Sequence, residues 1–260
     1  MTLDYEYHGL MSETWDLFRG DTSNWEDRFF YLTVIKEYGE PVLDVGCGTG
    51  RLLLDFLAQG IDADGVDNSP EMLALCRQKA ESQDLNPTLY QQYMESLDLP
   101  RRYKTILVPS SSFLLLLDVA KAQEAMRRFY AHLLPGGVLG MPFMILWKEG
   151  DPIAHEDWKL TGEKTRLTDG ALVRRWSRAW YDVENQLEHT EERYEVTLDG
   201  QVIAAELHRQ SPATRWYTQV QAEELYLQAG FSDLRLVSEF SFDPVKKDDP
   251  IFTVLGRKPG

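Results

Sequence analysis

Residues 42–50 read Val-Leu-Asp-Val-Gly-Cys-Gly-Thr-Gly, and the meaning of this stretch governs the reading of everything around it. The apolar run Val42 to Val45 predicts a strand. Gly46, Gly48 and Gly50 then let the backbone turn tightly and approach a ligand. The helix expected from about Thr49 to Ala58 directs its unpaired N–H groups toward that loop. The next strand, Ile61 to Asp67, ends in a carboxylate about twenty residues on, where both hydroxyls of a ribose can be bound. Loop and acid together predict a nucleoside site.

Outward from this unit the chain alternates. Ser69, Pro70 and Glu71 form a helix start. A short strand near Leu89, the strand Tyr103 to Val108 and a helix from about Val119 to Leu133 follow, and the Pro135-Gly136-Gly137 turn leads into the strand Val138 to Leu146. Such alternation predicts parallel βαβ units with helices on both faces, a doubly wound α/β sheet. Ahead of it, residues 1–40 read as a helical cap in which Ser23 and Glu26 are spaced as a capping box. Between Trp147 and Tyr217 short alternating runs and the turn signals Thr168-Asp169-Gly170 and Asp199-Gly200 predict an antiparallel insertion. A two-residue hairpin at Asp199-Gly200 sets Arg193 opposite Glu206, Glu191 opposite His208, Tyr194 opposite Ala205 and Val196 opposite Ile203. Thr218 and Gln221 then open a helix that ends at Gly230, and two strands near 234–240 and 251–255 close the chain. The expected segments are a cap (1–40), a nucleoside-binding core (41–146), the insertion (147–217) and a C-terminal completion of the core (218–260).

A length of 260 residues suffices for one α/β domain with an insertion. The net charge of −15 disfavours broad binding to nucleic acid or an anionic membrane and favours a small neutral or cationic ligand. With two cysteines, Cys47 and Cys76, a disulfide framework is not indicated and a reducing compartment, the cytoplasm, is expected. The longest apolar run, Phe113 to Leu117, is too short to span a bilayer. No compact group of His, Asp and Glu has metal-ligand spacing, so no metal is expected.

A nicotinamide-dinucleotide enzyme uses the same supersecondary unit, but with G-x-G-x-x-G around a pyrophosphate. Here the spacing is G-x-G-x-G, and Asp44, just before the loop, suits a cationic group better than a pyrophosphate. The stretch from Val42 to Arg77, VLDVGCGTGRLLLDFLAQGIDADGVDNSPEMLALCR, resembles the first two motifs of class I S-adenosylmethionine (SAM)-dependent methyltransferases. LLPGGVLGMPF resembles that family's fifth-strand segment, and WYTQVQAEELYLQAGF its late helix. The resemblance implies a Rossmann-like, seven-stranded methyltransferase sheet with the antiparallel insertion after strand five. Within the family the chain is distantly similar to aminosugar N,N-dimethyltransferases and glycine N-methyltransferases.

Carried over by position, the resemblance implies SAM as methyl donor and S-adenosylhomocysteine as product. Gly46 and Gly48, within the loop that also holds Cys47 and Gly50, approach the methionine part of SAM, with Asp44 toward its cationic groups. Asp67 holds the ribose, and Asn68 and Met72 flank the adenine. Relatives often place an acid for the adenine amino group after strand three. Tyr93 stands there instead, leaving Met94 backbone or Glu95 for that contact. Ser110 to Phe113 fall beside the methyl group and the incoming nucleophile, and Trp25 and Arg19 of the cap belong to a lid over SAM.

Methyl transfer from a sulfonium is an in-line displacement that needs chiefly a held and aligned nucleophile. Among the five histidines, His155 at the start of the insertion is the candidate base, while His8 lies in the cap, His132 in a helix of surface-like pattern, and His189 and His208 on the insertion's polar face. Arg174, Trp176, Arg178 and Trp180 share one face of a strand and, with Trp147 and Phe113, are candidates for binding an acceptor. In the aminosugar subgroup a cap tyrosine lies near the acceptor, whereas LFRGD here has Phe18. The expected activity is methyl transfer to nitrogen or oxygen of a small molecule by a monomer or homodimer. A SAM-binding regulatory or scaffolding protein without turnover is the alternative.

Overall fold

The computed structural model describes residues 5–260, apart from the side chain of Glu156. Val42–Val45 (β1) and Ala63–Asp67 (β2) are buried along their whole length, Asp44 included, because they lie inside a parallel sheet covered on both faces. Thr88–Gln91 (β3) pairs parallel to β2, Tyr103–Leu107 (β4) to β1, and Leu133–Met144 (β5) to β4. Ser232–Ser238 (β10) and Ile251–Arg257 (β11) add an antiparallel pair beyond β5, giving the seven-stranded order β10-β11-β5-β4-β1-β2-β3.

Helices cover both faces, as the alternation predicts. On one side Glu26–Tyr38 (α3), Leu53–Ala58 (α4) and Pro70–Glu81 (α5) bury Tyr31, Val34, Phe56 and Leu73 against β1 and β2. On the other, Val119–His132 (α6) and Gln219–Gln228 (α7) bury Met126, Phe129 and Tyr226 against β4, β5 and β11. Ser69 caps α5 by accepting from Met72 N, with Pro70 in its first turn, and Thr218 and Gln221 form the expected capping box on α7. The box expected from Ser23 and Glu26 does not open α3: the N-cap position is Trp25 and Glu26 is the first helical residue.

The four strands Ala154–Thr165 (β6), Leu172–Asp182 (β7), Leu187–Leu198 (β8) and Gln201–Arg215 (β9) form a separate antiparallel sheet in sequence order. The hairpin at Asp199-Gly200 has two loop residues, with Leu198 opposite Gln201, but a bulge between Val196 and Thr197 moves the remaining pairs by one. Arg193 therefore faces Leu207, Glu192 faces His208, Tyr194 faces Glu206 and Val196 faces Ala204. The expected pairing of charges on one face and apolar groups on the other is thus corrected. The bulge turns Ile203 and Leu207 outward, 53% and 48% exposed, and puts His208 inside.

The chain divides into two units. One joins the described residues up to Thr22, including Gly9–Glu13 (α1) and Trp15–Arg19 (α2), with 146–215; its core is Leu10, Met11, Val173, Tyr194 and Val196. The other comprises 23–145 and 216–260 with the seven-stranded sheet. The boundary falls inside the segment expected as a single cap: α3 belongs to the sheet unit, and α1 and α2 to the four-stranded unit. Among the described residues no helix is long and apolar enough to cross a membrane.

Candidate active site

From β1 the chain runs outward through β2 and β3 and returns as β4 on the other side of β1, so the ends of β1 and β4 flank the topological switch point of the sheet. The glycine loop leaves β1 there. Ser110, just past β4, holds a left-handed φ of 59°, a conformation that costs a non-glycine residue energy and that clusters at functional sites.

The loop is closed onto β2. Gly46 N and Cys47 N both donate to Val66 O, at 2.8 and 3.1 Å. Gly48 N donates to Asp67 Oδ2 and Ser69 N to Asp67 Oδ1, each at 2.9 Å. Burial raises the Asp67 carboxyl above its ordinary value, opposed by the N–H groups of Ser69, Gly48 and Asn68. The three glycines do different things. A methyl group at Gly46 would collide with Ser112 Oγ (2.6 Å), and one at Gly50 with Cys76 Sγ (2.6 Å), whereas one at Gly48 would meet nothing nearer than Gly46 O at 4.0 Å. Gly50, expected to approach a ligand, is thus a packing position, and Gly48 faces open space. Cys47 and Cys76 are buried free thiols; burial first, then Asp44 and Asp67, hold the Cys47 thiol well above its ordinary value, so it is no nucleophile.

Asp44 is 1% exposed, and its Oδ1 has no hydrogen-bond partner. Burial pushes its carboxyl up to about 7; Arg51 pulls it down, Asp67 raises it, the Leu53 N–H lowers it and Asp27 raises it. Arg51 is itself fixed: its Nη1 donates to Asp27 Oδ1 at 3.0 Å, its Nη2 to Asp27 Oδ2, and its guanidinium lies 5.0 Å from the centre of the Trp25 ring. Lys79 Nζ on α5 donates to Thr49 Oγ1 in the loop at 3.2 Å. The Trp25 ring thus lies beside Arg51, the residue that follows the glycine loop. Arg51, Asp27 and Lys79 carry no motif, and an alternation of apolar residues cannot reveal which charged side chains of two helices will meet.

On the β2–β3 side, Met72 is buried at the start of α5 and Asn68 is partly exposed beside it. The methyl group of Met94 would lie 3.8 Å from a side chain at Gly46, so it borders the loop. Glu95, in the turn Met94–Ser96, pairs with Lys121 Nζ at 3.0 Å. Phe113 is a core residue, 1% exposed and packed on Phe143 and Tyr217, both with ring centres 6.0 Å away; as an acceptor contact it is corrected.

Residues 42–137 match the family described as methyltransferase domain. Over 256 residues the chain is 27% identical to a Geobacillus sp. (strain WCH70) protein carrying a provisional methyltransferase name, covering 96% of each. It is 30% identical over 141 residues to dTDP-3-amino-3,6-dideoxy-alpha-D-glucopyranose N,N-dimethyltransferase of Streptomyces fradiae, 52% of this chain and 53% of that one. Its fold is similar to that of an S-adenosylmethionine-dependent methyltransferase from Clostridium acetobutylicum, with a TM-score of 0.78 and 21% identity over 95% of this chain and 97% of that one. The matched segment holds the glycine loop and Asp67, and the fold around it is the one this SAM-dependent methyltransferase has.

The residues of the glycine loop suit SAM as a ligand. A buried carboxylate oxygen lacking a partner, Asp44 Oδ1, is the complement of a cationic ligand, and Gly48 leaves its side of the loop clear. When bound, SAM supplies a methyl group activated by the positive charge of its sulfur.

In the four-stranded unit the other candidates have local partners. Arg174 Nε donates to Glu163 Oε2 at 2.7 Å, and Arg193 lies over Trp176 at 5.1 Å. Trp147 Nε1 donates to Asp151 O at 3.2 Å, and Arg19 lies over Trp15 at 4.6 Å. Phe18, where the subgroup has a tyrosine, fills the space left by Gly162 on β6 under Arg175. His155 sits near the start of β6 opposite Ala179. His189 stacks on Trp180 at 5.2 Å, and the buried His208 meets Glu206 Oε2 at 2.9 Å and the His8 ring at 4.6 Å. His132 is a correction: it is 2% exposed, donates from Nδ1 to Arg128 O at 2.7 Å and accepts from Leu99 N at Nε2, 2.9 Å.

Proposed function

We propose that this protein is a SAM-dependent methyltransferase that holds SAM on the glycine loop between Asp44 and Asp67 and transfers its methyl group to nitrogen or oxygen of a small-molecule acceptor. The observation that carries the donor site is Asp67: it ends β2, is 8% exposed and grips the loop through Gly48 N. A ribose hydroxyl binds to the remaining lone pairs of such a carboxylate. The small-molecule reading is supported by the negative charge of the chain, which repels polyanions, and by likeness to an enzyme named for methylating an amino sugar. Nothing in the donor site calls for a base. Alignment of a nucleophile is worth about 7 to 11 kcal/mol in favourable cases, and an amine that arrives unprotonated needs no proton acceptor on the protein.

Calorimetry tests the donor site. S-adenosylhomocysteine binding is expected to disappear in Asp67→Ala with the circular-dichroism spectrum unchanged, and unaltered binding overturns the assignment. Incubation with methyl-labelled SAM and fractionated small metabolites tests the acceptor class. Label that passes only into protein or nucleic acid overturns it.

A further inference from the structure

The four-stranded sheet holds its arginines in two ways. On the face that carries Arg174, Trp176 and Arg178, each guanidinium already has a carboxylate: Arg174 pairs with Glu163 at 2.7 Å, Arg178 with Glu191 at 2.6 Å and, on β8, Arg193 with Glu195 at 2.8 Å. Arg175 points to the opposite face, because side chains alternate along a strand and Val173, two residues before it, is buried with Leu10 and Met11. There Arg175 Nε donates to Thr161 Oγ1 at 3.2 Å, and the guanidinium lies 5.1 Å from the centre of the Phe18 ring. It also hydrogen-bonds the phenol of Tyr194, its partner in the β7–β8 register. Among the described residues no carboxylate stands within ion-pair distance of Arg175. Glu192, on the same face, commits one oxygen to Ser177 Oγ at 3.2 Å and the other to Tyr194 Oη at 2.6 Å.

In a chain of net charge −15, this half-buried guanidinium is the group whose charge is left uncompensated by its own surroundings. A guanidinium has five N–H donors in a fixed fork, and the contacts to Thr161 and Tyr194 leave terminal N–H groups for a ligand. The fork is set in advance. Phe18 fills the space that Gly162 leaves on β6, where a side chain would lie 2.6 Å from the ring, and so lies under the guanidinium. A planar fork of this kind matches a carboxylate or a phosphate, each of which presents two oxygens to it. We propose that Arg175 binds an anionic group, carboxylate or phosphate, of the methyl acceptor, with Thr161, Tyr194 and Phe18 holding the guanidinium in place. The inference rests on the reading that the chain is a SAM-dependent methyltransferase whose four-stranded unit takes the acceptor. The negative charge of the whole chain does not oppose it. Charges farther away than about 8 Å are largely screened at physiological salt, so a ligand with a single anionic group responds to the nearby arginine, whereas a polyanion meets the whole surface.

NMR of the arginine Nε–H groups in the full chain tests the site, with sodium acetate and inorganic phosphate as probes at constant ionic strength in chloride. The Arg175 signal, assigned by its loss in Arg175→Met, is expected to shift saturably with at least one probe while those of Arg174 and Arg178 stay in place. Which probe acts separates a carboxylate from a phosphate. Shifts linear in both probes, or equal at all three arginines, overturn the proposal. Turnover of labelled SAM with amines that bear a carboxylate or phosphate, each compared with its neutral ester, supplies a second reading. Arg175→Met is expected to raise KM for the anionic acceptor about tenfold or more, with kcat little changed, to leave the neutral ester unaffected, and to be partly rescued by Arg175→Lys. Equal losses for both acceptors, as a merely structural role predicts, overturn it, as does transfer to neutral amines alone. Retention of S-adenosylhomocysteine binding in Asp67→Ala would instead overturn the donor site and leave the anion site, read by NMR without a donor, standing.

Discussion

Arg51 and Asp27 form a two-pronged ion pair whose side chains are only 9% and 7% exposed, joining the N-terminal end of α3 to the residue that follows the glycine loop. Arg28, the next residue of α3, pairs in the opposite sense with Asp55 of α4 at 2.7 Å, so α3 is fastened both to α4 and to the residue that follows the glycine loop. A buried pair is a weak net stabiliser, but half of one is costly. Asp27→Ala is therefore expected to lower the unfolding free energy by about 3 to 5 kcal/mol. The double variant Asp27→Ala/Arg51→Met should recover part of it in urea titrations. A double variant as unstable as the sum of its singles would show that the pair is not coupled.

Acid should destabilise the protein through His132. Burial lowers its pKa, opposed by the Arg128 carbonyl that accepts from Nδ1, and Nε2 already accepts from Leu99 N. Below about pH 6.5 the unfolded chain takes up a proton that the folded chain refuses. Stability then falls by up to about 1.4 kcal/mol per pH unit until the folded value is reached. Replacement by Gln should flatten this part of the profile between pH 7 and pH 5. Equal slopes in both proteins would remove His132 as the cause.

Glu6 works in the opposite direction. Burial, then the neighbouring Glu192, push its carboxyl up to about 7 from 4.5. Between those values the unfolded chain loses a proton that the folded chain keeps, so this group's contribution falls as pH rises across the window. Glu6→Gln is expected to leave stability unchanged at pH 4.5 and to raise it at pH 8. Thermal denaturation at the two pH values reads the difference directly.

Alanine at the loop glycines should separate fold from ligand. At Gly50, φ is +84° and the new methyl group would lie 2.6 Å from Cys76 Sγ and 2.9 Å from Leu54 Cγ. Backbone strain and overpacking together should cost about 2 kcal/mol or more. At Gly48 the methyl group enters open space, so the cost is limited to about 1 to 2 kcal/mol of left-handed strain. Gly48→Ala is nonetheless expected to lose SAM binding by tenfold or more. A Gly48 variant that binds normally would place the donor elsewhere.

The strand, loop, helix and strand from Val42 to Asp67, the turn at Ser69-Pro70 and the capping box at Thr218 were legible in the sequence because each is written in residues close along the chain. Local backbone preference and hydrogen bonding within a turn settle them without help from distant groups. What failed was of another kind. The hairpin register needed one extra residue at the Val196/Thr197 bulge, and a period-two pattern gives no notice of where a strand will add one. His132 looked like a surface residue on its helix, yet the segment carrying Leu99 lies over it.

The sequence by itself determined the doubly wound sheet and the joining of the glycine loop with Asp67 in one site, since a carboxylate at the end of β2 must fall beside the loop that ends the adjacent β1. Only the tertiary structure decided which charges stand behind that loop. Asp27, Tyr31, Asp44 and Arg51 come from a helix, a strand and a turn that meet only when hydrophobic burial packs α3 against the sheet. The ionisation of Asp44 follows from that three-dimensional balance of burial and neighbouring charge, which no spacing along the chain records.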